Sequence, residues 1–217
     1  MSHVGKYSTY LRKSYIRYAT ILILILTVIF FVFIYYGLRF TAINTNESCN
    51  ASLNAVLKSQ CNTYIKNIDD ISDSSKFKQA LKHQNLTDAY RTLYSFTTSQ
   101  KIKSNFYVFD PSKKLILTNL YTPNRIILQQ NNKIMEAINI EESSPYQVYN
   151  GASCIQYNNN QQTSYLFCKA VMSEQKIIGY LCFDFTTDSL NSIMRKNEVE
   201  IVVLSDQFDN AFYYTDN

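Results

Sequence analysis

The sequence predicts an α+β fold in which helices come first and an antiparallel sheet of about five strands follows. Apolar residues recur every three or four positions from Phe40 to about Ile71, which is typical of a helix with one apolar stripe. From Ser104 onward the apolar runs are short, have a period of two and are separated by polar turns. We therefore expect a long helix packed against a sheet of hairpins.

The segment from Tyr18 to Leu38 has 21 residues and no charged side chain. A helix of this length rises about 1.5 Å per residue and matches the ~30 Å hydrocarbon layer of a bilayer. A cleaved signal peptide would have a shorter apolar region and small residues before the cut, whereas the flank here contains Phe40 and Ala42. The segment therefore predicts a transmembrane helix, with the lipid bilayer as its partner.

The charges before this segment predict its orientation. Residues 1–17 contain Lys6, Arg12, Lys13 and Arg17 and no carboxylate, so this tail accounts for the formal net charge of +4. The positive-inside rule then places the tail in the cytoplasm and residues 39–217 outside the cell, anchored at the cell membrane. The rest of the chain is balanced in charge, which excludes the basic surface of a nucleic-acid-binding domain.

A stalk helix follows the membrane segment. Its stripe predicts packing on the domain's own sheet and also pairing with a second copy, as a homodimer; the stripe consists of Leu53, Val56, Leu57, Tyr64, Ile65, Ile68 and Ile71. Ser72–Ser75 predicts a break with N-cap residues. Two shorter helices are expected after it, one through Lys76–His83 and one beginning near Thr87.

The strand pattern then begins. The runs at 104–110 and 115–120 predict a hairpin around Pro111, and residues 123–139 predict a helix with Pro123 in its first turn. Three further strands are expected at 145–155, 164–172 and 176–185, with NNNQQ (158–162) as a loop tip. The short SEQ connection at 173–175 predicts that the last two strands pair antiparallel.

The end of the chain repeats the first hairpin. VEIVVLSDQFDNAFYYTDN again predicts strand, turn and strand, with Asp206 matching Asp110 and Thr215 roughly matching Thr118, about 96 residues apart. We interpret this as the start of a second related module, or as a hairpin that docks on the first one. The predicted divisions are a basic tail (1–17), a transmembrane helix (18–38), one domain (39–198) and the start of a second lobe (199–217).

Asp184 is the first candidate for binding chemistry. It ends the strand IIGYLCFDF and shares a face with Tyr180 and Cys182, where a carboxylate beside a phenol can hold an amine or cation. The alternative is a strand-end cap for the next helix, through Thr186–Ser189. Three other residues are candidates for the same pocket, or else ordinary core and surface residues: Tyr107, Tyr165 and Arg125.

The chain has five cysteines. Cys49 and Cys61 lie too far apart on one helix to bridge each other. If the hairpin tips lie near Gln161 and Gln175, Cys154, Cys168 and Cys182 share one row, which allows a disulfide between Cys168 and either Cys154 or Cys182; the alternative is buried free thiols.

We expect no metal site, because no Cys-x-x-Cys pair occurs and the only histidines are His3 and His83. We also expect no catalytic residue and no cofactor, since neither a glycine-rich phosphate loop nor a nucleophile elbow is present.

Several of these features together resemble a known family. The basic tail, the membrane helix, the long helix, the hairpin FYVFDPSKKLILTN and the closing IIGYLCFDFTTDSLNSI are similar to the extracytoplasmic Cache (PAS-like) sensor domains of bacterial receptors. The resemblance covers roughly residues 18–217. It implies a PAS-like sheet, a small-molecule ligand and, most often, a sensor histidine kinase whose catalytic core lies beyond residue 217. The Arg-x-Trp-Tyr constellation of amino-acid-binding members is missing, and the chain has no Trp, so the ligand is left open.

Two functional hypotheses follow. In the first, the chain is a membrane-anchored, extracytoplasmic signal-sensing domain, the input part of a two-component sensor histidine kinase. In the second, it is a single-pass membrane-anchored structural or assembly protein with no small-molecule ligand.

Overall fold

The computed structural model describes residues 3–83, 85–120, 132–157, 160–185, 190–191, 203–205 and 211–214. The chain forms two compact units, Met1–Ser52 and Leu53–Asn217. The helices are α1 (His3–Asp73), α2 (Ser75–Lys82), α3 (Leu86–Ser99) and α4 (Asn132–Ser143). The strands are β1 (Ser104–Phe109), β2 (Leu115–Thr118), β3 (Tyr149–Tyr157), β4 (Asn160–Ser173), β5 (Lys176–Phe185), β6 (Val203–Ser205) and β7 (Ala211–Tyr214).

The first unit is helical, and its apolar side chains are exposed all round the segment 18–38. Phe33, for example, is 79% exposed. The hydroxyl groups of Thr20 and Thr27 donate to the carbonyl oxygens one turn earlier, at 2.8 Å each, so both threonine hydroxyls of the segment are paired within the helix. The described residues include one helix that is long and apolar enough to cross a membrane, α1.

In the second unit, five antiparallel strands form one sheet in the order β2-β1-β5-β4-β3. The predicted α+β fold with a five-stranded antiparallel sheet is confirmed. Turn residues set two of the hairpins: Glu174 and Gln175 both adopt positive φ between β4 and β5, the backbone that a two-residue hairpin loop needs. Asp110 stabilises the turn between β1 and β2, because its Oδ1 accepts hydrogen bonds from the Lys114 N–H (2.9 Å) and from the Ser112 hydroxyl (2.6 Å).

One face of the sheet, which we call the α1 face, packs against the stalk part of α1. Leu53, Tyr64 and Ile68 of the predicted stripe are buried, three more of its members are partly buried, and Val56 is 39% exposed. The Tyr64 ring stacks on Phe167 at a centroid distance of 5.5 Å and meets Phe185 edge-on at 5.0 Å. The prediction that the stalk helix packs on the sheet is therefore confirmed. The stalk ends at Asp73, inside the predicted break.

The opposite face, the α4 face, is covered by α4. The helix extends four residues past the predicted end at Asn139 to Ser143, and the predicted start at 123–131 lies outside the described residues. Strand β3 begins at Tyr149, later than predicted. The expected loop tip is also corrected, because Asn160–Gln162 already belong to β4 and pair with β3.

The final hairpin, β6–β7, repeats the register of β1–β2. Tyr107 faces Thr118 and Phe109 faces Leu115, while Val203 faces Tyr214 and Ser205 faces Ala211, so every partner is displaced by 96 residues. Both hairpins also show the same one-residue irregularity before their turn. The register corrects one detail: Thr118 corresponds to Tyr214 and not to Thr215. Thr215 and Asp206 lie outside the described residues.

Candidate ligand site

The centre of the α4 face is an apolar cluster. Ile134, Ala137 and Ile138 of α4 pack on strand residues that share this face: Tyr107, Phe109, Leu166, Cys168, Ala170, Tyr180 and Cys182. The spacing of the three helix residues follows one helical stripe, which explains why this segment forms a helix that docks flat on the sheet. Tyr107 and Tyr180 thus lie together on one face of the sheet.

Asp184 lies on the next row of the same face, towards one end of the sheet. In the register it stands between Asn105 of β1 and Leu166 of β4. The side chain is 1% exposed, and its Oδ2 accepts a hydrogen bond from the Ser164 hydroxyl at 3.5 Å. The alternative prediction, a cap for a helix through Thr186–Ser189, falls on residues that lie outside the described ones.

The row ends on β3 at Gly151, which faces Leu166. A Cβ atom at Gly151 would lie only 2.7 Å from the Tyr149 Oη, so the phenol of Tyr149 leans over the glycine because there is no side chain in its way. A carboxylate, a hydroxyl and a phenol therefore occupy this end of the α4 face. These are hydrogen-bond acceptors and donors of the kind that bind an ammonium group.

The phenol of Tyr180 is neutral over the physiological range. Burial, and then the nearby carboxyl group of Glu142, raise the pKa of Tyr180 to about 12. The group thus offers a hydroxyl rather than a phenolate to any ligand on this face.

The structure does not bring Tyr165 together with these residues, which corrects the expectation of one shared pocket. Tyr165 points to the α1 face, where its ring packs edge-on against Phe167 at 5.1 Å and stacks on Phe185 at 6.0 Å. Its hydroxyl donates to Asn150 Oδ1 at 3.3 Å. Arg125 lies outside the described residues.

The prediction that three cysteines lie in one row across the sheet is wrong for Cys154. Cys168 faces Cys182 across β4 and β5, but its partner on β3 is Tyr149, while Cys154 faces Thr163. Cys154 is thus five residues further along the strand, roughly 17 Å at 3.4 Å per residue, which is too far for a bridge to Cys168. The Sγ atoms of Cys168 and Cys182 are 2.9 Å apart, and both side chains are fully buried as free thiols. Burial, then Cys182 and Glu141, raise the pKa of Cys168 well above its ordinary value.

Sequence reasoning missed Glu141, a carboxylate buried in the apolar stripe of α4. It is 1% exposed; its Oε1 accepts the Tyr149 N–H and its Oε2 accepts the Ala170 N–H, each at 3.0 Å. Burial raises the pKa of Glu141 to about 7, although these two hydrogen bonds and the charge of Lys169 oppose the rise. The available signal was its position, one helical turn after Ala137 and Ile138 on the docked side.

Lys169 was missed as well. It lies on the α1 face of β4, where its side chain is 8% exposed, and its Nζ lies 2.8 Å from Asp69 Oδ1 on the stalk. Strand periodicity alone places a lysine at a core position here, and a long-range partner explains why it is tolerated.

Outside this polar end, the described residues form an open depression of about 520 Å³ on α4, lined by Asn132, Met135, Glu136, Asn139, Ile140 and Ser143. None of the described candidate residues Asp184, Tyr180, Tyr107 and Tyr165 lines it. The described part of the chain contains no cluster of His, Cys, Asp and Glu side chains that could hold a metal ion.

Comparison with known proteins identifies the fold. The structure is similar to the sensor domain of the V. cholerae histidine kinase DctB, with a TM-score of 0.56 and 14% identity over 79% of this chain. The chain has the fold of a sensor domain. The similarity confirms the predicted PAS-like sensor fold.

Weaker similarities are found to a domain of a sensory box/GGDEF family protein from Vibrio parahaemolyticus (TM-score 0.49, 14% identity, 69% of this chain) and to the sensory domain of the Campylobacter jejuni chemoreceptor Tlp3 with isoleucine bound (TM-score 0.46, 15% identity, 77% of this chain). This chain spans 66%, 64% and 65% of the three solved chains respectively, under two thirds of each. No family model matches the sequence. No curated protein matches it either.

Proposed function

We propose that this chain is the extracytoplasmic signal-sensing part of a membrane receptor, the input domain of a sensor histidine kinase. The observation that supports this most strongly is the continuity of α1. One helix contains the apolar segment 18–38 and, further along, the buried residues Tyr64 and Ile68 that pack on a sheet with the sensor-domain fold. A rearrangement of that sheet would act on the stalk part of α1, which packs on it. The fold likeness favours this function over a structural or assembly protein.

The proposed topology has residues 1–17 in the cytoplasm, 18–38 in the lipid bilayer and 39–217 outside the cell. Its support is the charge of the tail, which has four basic residues and no acidic ones. The domain of 39–198 holds the five-stranded sheet, and the repeated register of β6–β7 supports a second PAS-like lobe beginning at about 199.

The proposed ligand is a small molecule with an amine or other cationic group, bound at the Asp184 end of the α4 face. The buried carboxylate of Asp184, the hydroxyl of Ser164 and the phenol of Tyr149 over Gly151 support this class of ligand. A positive group gains more from such a carboxylate than a neutral group does, because the surroundings have a low dielectric constant.

We also propose that two copies pair through the stalk. The support is Val56, which is 39% exposed, whereas the other members of the stalk's apolar stripe are buried or partly buried. A second helix at this position would cover it.

The ligand proposal is tested on the full chain in lipid nanodiscs, by thermal unfolding with a panel of amines, amino acids and matched carboxylic acids. A ligand that binds the folded state raises the melting temperature. We expect an amine-containing compound to raise it for the wild type and for Asp70→Asn, an exposed carboxylate on the stalk, but not for Asp184→Asn. An equal shift in Asp184→Asn, or shifts only with carboxylic acids that lack an amine, would exclude Asp184 as the binding group.

A further inference from the structure

Two consecutive residues of β4, Lys169 and Ala170, bind side chains of helices that lie on opposite faces of the sheet. The backbone N–H of Ala170 donates to Glu141 of α4 at 3.0 Å, and the side chain of Lys169 pairs with Asp69 of α1 at 2.8 Å. The Cα atoms of neighbouring residues are about 3.8 Å apart, so the two attachments act on the same short piece of backbone. Helix α4 and the stalk are thus attached to one point of the strand between them.

The register explains why Glu141 occupies this position. Tyr149 is the first residue of β3 and faces Cys168, so a continued ladder would place Gln147 opposite Ala170. The chain has left the sheet there, and the Glu141 carboxylate accepts the N–H groups of both Tyr149 and Ala170. A helix side chain therefore replaces the missing strand residue, and the N–H groups of Tyr149 and Ala170 both have an acceptor.

Both attachments are costly to break. Glu141 is almost completely buried, and Lys169 is buried except for 8% of its side chain. Removing one partner of such a pair leaves a buried charge or donor without compensation. Asp69 is different, because 43% of its side chain is exposed, so it can follow the lysine when the strand moves.

We propose that Glu141, the Lys169–Ala170 step of β4 and Asp69 form a link that couples the position of α4 to that of the stalk helix. When α4 shifts on the sheet, Glu141 displaces the backbone of β4 at Ala170. The side chain of Lys169 then transmits this displacement to Asp69. The role of the link in signalling rests on the proposed function, whereas the link itself is a property of the fold and exists without a ligand.

Hydrogen–deuterium exchange tests the link on the full chain in nanodiscs without ligand. Glu141→Gln keeps the size of the side chain but leaves one of the two N–H groups without its carboxylate oxygen. We expect this change to speed amide exchange in residues 65–72 of α1 about tenfold, the effect of losing one buried hydrogen bond on local opening. In an Asp69→Asn background the same change has almost no further effect on these amides, because the link is already broken. Helix α3, which is not part of the link, is the internal reference.

Coupling is reciprocal, so Asp69→Asn must also speed exchange in α4. This second measurement decides the matter if Glu141→Gln does not fold. The matched controls are Glu142→Gln and Asp73→Asn, neighbours on the same two helices whose ion pairs with Lys113 and Lys78 are exposed. We expect neither control to change exchange in the other helix.

Three outcomes would overturn the proposal. Glu141→Gln could speed exchange at Ala170 and leave residues 65–72 unchanged, or its effect on these residues could be the same with and without Asp69. In the third outcome, Asp69→Asn leaves exchange in α4 unchanged. Since no ligand is used, these outcomes are independent of whether Asp184 binds an amine.

Discussion

The hydroxyl of Tyr64 on α1 donates a hydrogen bond to the carbonyl oxygen of Ile102 at 2.7 Å and lies 2.9 Å from the Ser104 hydroxyl. Its ring is buried among Phe96, Phe167, Phe183 and Phe185. The stalk is therefore joined to the entrance of β1 by a polar contact and to the centre of the sheet by an aromatic cluster. Burial raises the pKa of Tyr64 far above its ordinary value, so the donor is present at every physiological pH.

We expect Tyr64→Phe to lower the free energy of unfolding by about 1–2 kcal/mol, because the Ile102 carbonyl loses a buried donor while the ring remains. Tyr64→Ala should cost about 3–5 kcal/mol, since it also leaves a cavity in the aromatic cluster. Tyr146→Phe, at a 78% exposed position, is the control and should change little. Urea unfolding in nanodiscs, followed by the near-ultraviolet circular dichroism of the tyrosines, measures all three. If Tyr146→Phe lowered the free energy of unfolding as much as Tyr64→Phe does, the measurement would not be reporting on the core.

Glu141 should make the stability of the domain depend on pH. Its pKa is about 7 in the folded chain and near 4.5 when unfolded, so the folded state binds the proton more tightly. The resulting stabilisation is complete below pH 4.5 and is lost as the pH rises to 7, by up to about 3 kcal/mol.

Glu141→Gln should remove this part of the pH dependence, because the amide does not titrate. The measurement is the free energy of unfolding of wild type and variant at several pH values from 4.5 to 8, in which other titrating groups cancel from the difference. Glu142→Gln, an exposed neighbour, should retain the wild-type profile. A difference between wild type and Glu141→Gln that is independent of pH would contradict the prediction.

The pair Cys168–Cys182 should form a disulfide when the domain is exported. The two residues are direct neighbours on β4 and β5 with their Sγ atoms 2.9 Å apart, and the exterior of the cell is oxidising. Two thiols lose two electrons and two protons, which a small-molecule disulfide accepts by thiol–disulfide exchange. Slow reaction in the folded chain is expected, because the raised pKa of Cys168 keeps the thiolate scarce.

Peptide mass spectrometry of the chain purified from membranes, alkylated before reduction, identifies the bridge. The expected product joins the peptides of Cys168 and Cys182, with a mass two hydrogens below that of the two thiols. Cys182→Ser should leave Cys168 alkylated and should not produce a Cys168–Cys154 bridge. Complete alkylation of both thiols in the wild type would show that they remain reduced.

Gly179 should tolerate no side chain. A Cβ atom there would lie 2.7 Å from the carbonyl oxygen of Phe109 on the neighbouring strand β1. We expect Gly179→Ala to destabilise the domain by about 2 kcal/mol or more through the forced separation of β1 and β5. Gly37→Ala is the control, since no atom apart from the adjacent residues and the helix's own nearby backbone lies within 4 Å of a Cβ atom at Gly37. Equal unfolding curves for the two variants would refute the close approach of the strands.

The sequence predicted local patterns well and long-range placements less well. The stalk stripe, the period-two strands and the repeated hairpin depend on neighbouring residues, and their elements are present with boundaries that differ by a few positions. Cys154 was misplaced because its register depends on the length of the β3–β4 turn, which composition does not determine. Tyr165 was placed on the wrong face of the sheet, and alternation from Phe167 would have indicated the α1 face.

Glu141 and Lys169 were not predictable as a pair. The pattern places each at a core position, but it does not show the partners that their role depends on, the Ala170 amide and Asp69, which lie 29 and 100 residues away in the chain. Asp184 is a candidate from its strand position, and the structure adds its burial and the Ser164 contact. Its role as a binding group stays a prediction.

The most direct test of the account is the position of the sheet domain relative to the membrane. Cysteine replaces Tyr10 or Tyr146, both well exposed, one at a time in a chain whose Cys49, Cys61 and Cys154 are serine, so that the remaining Cys168 and Cys182 are fully buried. Intact cells are treated with a membrane-impermeant maleimide. The account predicts that the cysteine at 146 is labelled in intact cells and that the cysteine at 10 is labelled only after the membrane is permeabilised. Labelling of position 10 in intact cells, with position 146 protected until permeabilisation, would contradict it.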